Sequence, residues 1–227
     1  MSGVDRMFLE ARREAARAWL LQEGGPCRVK LCGMFRDQDI EAVNACLPDM
    51  MGFITSFPKS HRNVEPPELK RLAQMVDERV YRVGVSVNLP FGRVAHNANN
   101  HVDIVQLHGD EDDLYLQGVR MRTRAGIIQA FRIRSKADVE RALTSTADMV
   151  LLDAGTGSGT QFDWSLIDGF GARRPFILAG GLTPENVSEA IGALHPWGVD
   201  LSSGIETDRV KDSRKMAATV AAVRSAS

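Results

Sequence analysis

Phe176–Val187 reads FILAGGLTPENV, and Val199–Glu206 reads VDLSSGIE. Each starts as a short β-rich apolar run and breaks on glycine before a helix or a loop. An open doubly wound sheet places its glycine turn, GxGxxG, directly after the first strand. Here the first apolar run, Val29–Cys32, ends in Cys32-Gly33 and no such motif follows. The glycine-rich turns come late instead, after the sixth, seventh and eighth runs. In parallel barrels the loops after strands seven and eight commonly bind phosphate. These late turns decide for the barrel.

Outward from them, eight runs read as strands: Val29–Cys32, Gly52–Ser56, Val80–Asn88, Ile104–Leu107, Ile127–Phe131, Met149–Asp153, Phe176–Ala179 and Val199–Ser202. Amphipathic stretches lie between them, at Asp37–Leu47, Glu65–Glu78, Lys136–Thr146, Pro184–Leu194 and Asp212–Arg224. Thr183-Pro184-Glu185 reads as a helix start with proline at the first helical position. LPFGRVAHNANNH, after Asn88, is a weaker pattern that suits a loop with a short helix. The alternation predicts an α/β fold, a parallel eight-stranded (β/α)8 TIM barrel. Residues 1–26 read as an amphipathic helical extension, and 27–227 as a single catalytic barrel domain. In the extension Met7, Phe8, Ala11, Ala15, Ala18 and Trp19 fall near helical spacing, with Arg12, Arg13 and Glu14 on another side. A helix capping the outside of the fold is the expected reading.

Of 227 residues, 44% are hydrophobic, and 28 basic side chains face 29 acidic ones for a net charge of −1. That balance recruits neither nucleic acid nor an anionic membrane. No window approaches the ~18 apolar residues of a membrane span, and the N-terminus lacks the order of a secretory signal. Cys27, Cys32 and Cys46 form no metal or disulfide spacing, so the expected compartment is the cytoplasm.

The chemistry-bearing residues stand at the strand ends, where barrel enzymes keep their sites. Gly180-Gly181 and Ser202-Ser203-Gly204 let backbone N–H groups approach one anion from two adjacent strands. Asp153 closes the sixth run and is either a turn former or a carboxyl whose partial burial keeps it an acid. Cys32 closes the first run; alone it reads as a small core hydrophobe, and as a base only with a locally shifted pKa. Arg62, in SFPKSHRNVEP, is a loop arginine able to fork onto a carboxylate. His108 ends the fourth run.

Taken in order, VKLCG, GF followed by SHR, VGVSVN, DIVQLHGDE, LLDA, FDW, FILAGGLTPENV, GVDLSSGIE and KD resemble the phosphoribosylanthranilate isomerase family of tryptophan biosynthesis. They run from Val29 to Asp212. The resemblance implies Cys32 as general base and Asp153 as general acid. It implies Arg62 on the anthranilate carboxylate and Asp200 near the anthranilate end. Backbone at Gly180, Gly181, Ser202, Ser203 and Gly204 is implied for the phosphate, with Lys30 and His108 in support. The implied reaction is the Amadori rearrangement of N-(5-phosphoribosyl)anthranilate to 1-(2-carboxyphenylamino)-1-deoxyribulose 5-phosphate. It calls for no cofactor and no metal, and its partner is the small-molecule substrate. Association with other tryptophan-pathway enzymes is a further expectation.

The sequence departs from the family pattern at GSGTQFDW, where a threonine-rich, often lysine-bearing turn is usual. It departs again at Gln129–Arg132, where a lysine often begins the fifth-strand motif. Two other readings compete: an aldose–ketose isomerase for a different phosphorylated amino sugar, and a non-catalytic barrel that binds a sugar phosphate.

Overall fold

A computed structural model describes residues 3–153 and 164–226, with side chains from Met7 onward. Eight parallel strands form the barrel: β1 (Arg28–Cys32), β2 (Met50–Thr55), β3 (Tyr81–Ser86), β4 (Ile104–Leu107), β5 (Gly126–Arg132), β6 (Met149–Asp153), β7 (Phe176–Ala179) and β8 (Gly198–Leu201). β1 pairs with β2 on one side and with β8 on the other, which closes the ring. Strands covered on both faces must be apolar on both, which is why they read as runs rather than alternations. Met50, Val83, Ile104, Ile128, Leu151 and Ile177 fill the barrel interior. Their neighbours Met51, Val105, Ile127, Val150 and Leu178 face the helices in a second apolar cluster. Each such side chain, fully buried, contributes about 1.5–3 kcal/mol.

The helices are α1 (Gly3–Leu20), α2 (Asp37–Cys46), α3 (Pro66–Met75), α4 (Phe91–Asn100), α5 (Asp113–Arg120), α6 (Lys136–Thr144), α7 (Val187–Leu194) and α8 (Ser213–Ser225). Local chemistry starts several of them. Asp112 accepts from the Tyr115 amide at α5, Ser135 from Asp138 at α6, and Asp212 from Arg214 and Lys215 at α8. Three expectations need correction. LPFGRVAHNANNH is a full helix, α4, because Val94, Ala95 and Ala98 bury against the barrel. Asp113–Arg120 is a helix that the reading of the sequence did not mark. Pro184 does not open α7; the Asn186 side chain bonds back to the Thr183 amide, and the helix starts at Val187.

The N-terminal helix also turns a different face inward. Arg13, Ala16 and Leu20 are buried, while Met7 and Phe8 are exposed. α1 lies across the end of the barrel where strands begin, a surface of carboxylates and of carbonyls from the start of β3 and the end of α4. Arg12 bonds to Asp103 and to the Val80 carbonyl, Arg13 to the Ala98 carbonyl, and Arg17 to Asp148. The basic side of the helix therefore meets more unsatisfied acceptors than its small apolar side could repay in buried area. Leu20 enters the interior cluster over Gly126, and Trp19 packs edge-on against Trp197.

Two short pairings shape the opposite end. Asn63–Val64 adds beside the end of β2 and pins the loop that carries Arg62. Beyond β8, a 3-10 turn (Ser203–Ile205) leads into an antiparallel hairpin, Glu206–Thr207 against Val210–Lys211. Its tip residues Asp208 and Arg209 both have positive φ, as tight hairpin turns require.

Candidate active site

The C-terminal ends of β1, β6, β7 and β8 collect the polar groups. Cys32 ends β1 with 6% of its surface exposed. Beneath it lies Lys30, fully buried, whose Nζ bonds to Asp200 Oδ1 at 2.9 Å. The same ammonium hydrogen-bonds to the Cys32 thiol. Burial pushes the Cys32 thiol above its ordinary value, while the Lys30 ammonium pulls the other way. Burial would lower Lys30, but Asp200 and Cys32 hold it raised, so it stays a cation. Asp200 thus sits on the interior row beside Lys30, one residue pair below the rim. The Ser202 hydroxyl donates to the Cys32 carbonyl at 3.2 Å and ties the end of β8 to the end of β1.

Arg62 crosses the turn after Cys32. Gly33 has φ +83°, and a Cβ there would lie 2.5 Å from Arg62 Cδ, so only glycine admits the arginine stem. The guanidinium is forked onto Glu206, Nε to Oε1 at 2.6 Å and Nη2 to Oε2 at 2.7 Å. Lys211 Nζ reaches the same carboxylate at 2.8 Å and the Ser202 carbonyl at 2.9 Å. Burial alone would raise Glu206, but hydrogen bonds from Arg62 and Lys211 hold it down at about 2. Burial lowers Lys211 against the pull of that carboxylate. Sequence reading gave roles to neither Glu206 nor Lys211. The GIE and KD segments contain them, but an isolated loop charge carries no signal until the hairpin folds it over β1.

On the other flank, Asp153 ends β6, and His108 Nε2 stands 3.5 Å from its Oδ2. The Gln106 amide approaches His108 Nδ1 at 3.4 Å. With that amide donating, the imidazole proton sits on Nε2 and faces Asp153. Between the flanks lie β7 and β8 with their glycine turns. Gly204 packs so closely on Leu182 that a Cβ would meet the Leu182 carbonyl at 1.9 Å. The two turns are therefore in contact, and no acceptor among the described residues takes the amides of Gly181, Ser203 or Gly204. Unpaired N–H groups on touching turns form an anion nest.

The altered turn GSGTQF lies outside the described residues. So does the phenylalanine–aspartate pair that precedes Trp164. Gln129 bonds to the Glu111 carbonyl and to Ser145, away from the interior row. A separate cavity of about 600 Å³, lined by Arg13, Asn99, Arg120, Arg122 and Thr123 among others, lies at the α1 end of the barrel. Among the described residues no group of three His, Cys, Asp or Glu side chains could hold a metal ion, and no helix is long and apolar enough to cross a membrane. None of the three cysteines forms a disulfide.

Residues 29–222 match the family model described as N-(5'-phosphoribosyl)anthranilate isomerase. The chain belongs to that family. Phosphoribosylanthranilate isomerases from Endomicrobium trichonymphae and Thermoanaerobacter sp. (strain X514) are each 37% identical to it, over 87% of this chain and 98% of theirs. The crystal structure of the isomerase from Thermotoga maritima superposes with a TM-score of 0.80 at 34% identity, over 88% of this chain and 99% of that one. Another solved isomerase, with 32% identity and a TM-score of 0.78, is a complex with reduced 1-(o-carboxyphenylamino)-1-deoxyribulose 5-phosphate. It likewise covers 88% of this chain and 99% of its own. The protein is a (β/α)8-barrel isomerase of tryptophan biosynthesis.

Proposed function

We propose that Asp153 and Cys32 divide the proton transfers of the rearrangement, on N-(5-phosphoribosyl)anthranilate as substrate. What supports this most is their placement: they end the strands on either side of β7 and β8, whose touching turns carry amides without an acceptor among the described residues. A ribose phosphate seated there extends its ring between the two side chains. Asp153 protonates the ring oxygen and opens the ring to a protonated Schiff base. The Nε2 proton of His108 faces the carboxylate left behind and stabilises it. Cys32, as thiolate beside the Lys30 ammonium, removes the proton from C2. The electron pair flows into the iminium and gives the enolamine, which tautomerises to the ketone. Each transfer contributes about 10²–10⁴-fold. Asp200 acts through Lys30, holding the ammonium under the thiol, and Arg62 receives the anthranilate carboxylate.

Residues 27–227 form the catalytic unit in this reading, with 1–26 as an added closure of the barrel. A cytoplasmic setting and contact with other enzymes of the pathway complete it. The three cysteines without a disulfide support the former, and co-purification with those enzymes tests the latter.

The test is the decay of anthranilate-type fluorescence when the protein meets freshly generated substrate, with Cys32→Ala and Asp153→Asn alongside. Rapid decay in the natural sequence and its loss in both variants is the expected result. Unchanged decay in either variant removes that residue from its role.

A further inference from the structure

The mouth of β1 holds one carboxylate that the acid–base steps leave unused. Glu206 is held on three sides: Arg62 forks onto it, Lys211 pairs with it, and the hairpin from 206 to 211 fixes its backbone. Its side chain is only 6% exposed. A guanidinium has two edges that can fork onto a carboxylate. Glu206 fills the Nε–Nη2 edge, and no acceptor among the described residues takes Nη1. Arg62 and Lys211 bring two cations against this one anion, while Lys30 and Asp200 balance each other. The group of side chains beside Cys32 therefore has the charge and the donor edge for a second carboxylate.

We propose that Glu206 is a positioning residue for substrate specificity: it clamps Arg62 by one edge so that the Nη1 edge meets the carboxylate of the substrate beside Cys32. This rests on the reading that Arg62 receives that carboxylate. The rival arrangement has Glu206 as a placeholder that the substrate displaces. That exchange would break a buried bidentate fork and leave Glu206 with Lys211 and, 4.0 Å away, His61 Nε2.

The two arrangements predict opposite signs. Removing a negative charge next to Arg62 tightens a carboxylate ligand if charge alone matters, and loosens it if the clamp matters. The probes are reduced 1-(o-carboxyphenylamino)-1-deoxyribulose 5-phosphate and the same molecule without the carboxyl group, titrated calorimetrically into full-length protein. The dissociation constant of the probe without the carboxyl group, divided by that of the probe with it, measures carboxylate recognition. In Glu206→Gln that ratio is expected to fall about tenfold, which is ~1.4 kcal/mol. Glu206→Asp should recover part of it, and kcat at saturating substrate should stay within about threefold, as expected when binding rather than chemistry is lost. An unchanged or larger ratio in Glu206→Gln, with the ratio collapsed in Arg62→Ala, overturns the clamp and leaves the Arg62 reading standing. An unchanged ratio in Arg62→Ala overturns both. If Glu206→Gln does not fold, Glu206→Asp decides: a reduced ratio supports the clamp and an unchanged one ends it.

Discussion

The two ends of this barrel hold charge for different purposes. At the α1 end, Arg12, Arg13 and Arg17 spread over Asp103, Asp148 and carbonyls at the start of β3 and the end of α4, and Trp19, Tyr81 and Trp197 seal the gaps. Each cation there closes an acceptor account, and the arrangement is complete without a ligand. At the other end, Lys30, Arg62 and Lys211 pair with Asp200 and Glu206, and among the described residues the amides of Gly181, Ser203 and Gly204 have no acceptor. One end is satisfied and the other is waiting. This is the division expected of barrel enzymes, where strand ends carry chemistry and strand starts carry stability.

The contrast is sharpest in single substitutions. Asp153→Asn and Cys32→Ala should each lower kcat by about 10²–10⁴-fold. Their melting temperatures, followed by circular dichroism, should stay near that of the natural sequence. A comparable fall in stability would show that the mouth is structural as well.

The next largest effect lies in the pH profile. The proposed mechanism uses Asp153 protonated and Cys32 ionised, and burial places the thiol above its ordinary range. Between the two titrations the required fractions change in opposite directions, and kcat/KM is flat. Above the thiol value Cys32 is fully ionised while the protonated fraction of Asp153 keeps shrinking. The profile then falls about tenfold per unit, from an inflection above the ordinary thiol range. Stopped-flow fluorescence over alkaline pH checks this, and an inflection below the ordinary thiol range would contradict it.

At the far end, Leu20→Ala should cost about 2–5 kcal/mol, because it empties a buried place above Gly126. Urea unfolding reads the loss, and kcat of the folded fraction should not change. A drop in kcat would mean that α1 reaches the chemistry. The smallest effect belongs to Ser202→Ala, which removes one hydrogen bond to the Cys32 carbonyl and should cost about 1 kcal/mol. Differential scanning calorimetry is sensitive enough, and a cost above about 3 kcal/mol would assign Ser202 more than that single bond.

Much of this was legible in the chain. Apolar runs ending in Cys32, Asp153 and Gly180 mark strands and their functional ends, because parallel strands buried on both faces must be apolar throughout, so that a polar or glycine residue marks the exit. The late glycine turns point to a barrel and to an anion, since glycine is what close backbone approach requires. Local pattern also marked the helices α2, α3, α6 and α8. Other features depend on distance in the sequence. Glu206 meets Arg62 across 144 residues, and Lys30 meets Asp200 across 170. No window of sequence holds both partners, so only ring closure between β1 and β8 makes the pairs. The inward face of α1 was decided the same way. Its amphipathic pattern names an apolar side, but the surface it lands on is rich in carbonyls and carboxylates, and hydrogen bonding to these outweighs the burial of a few methyl groups.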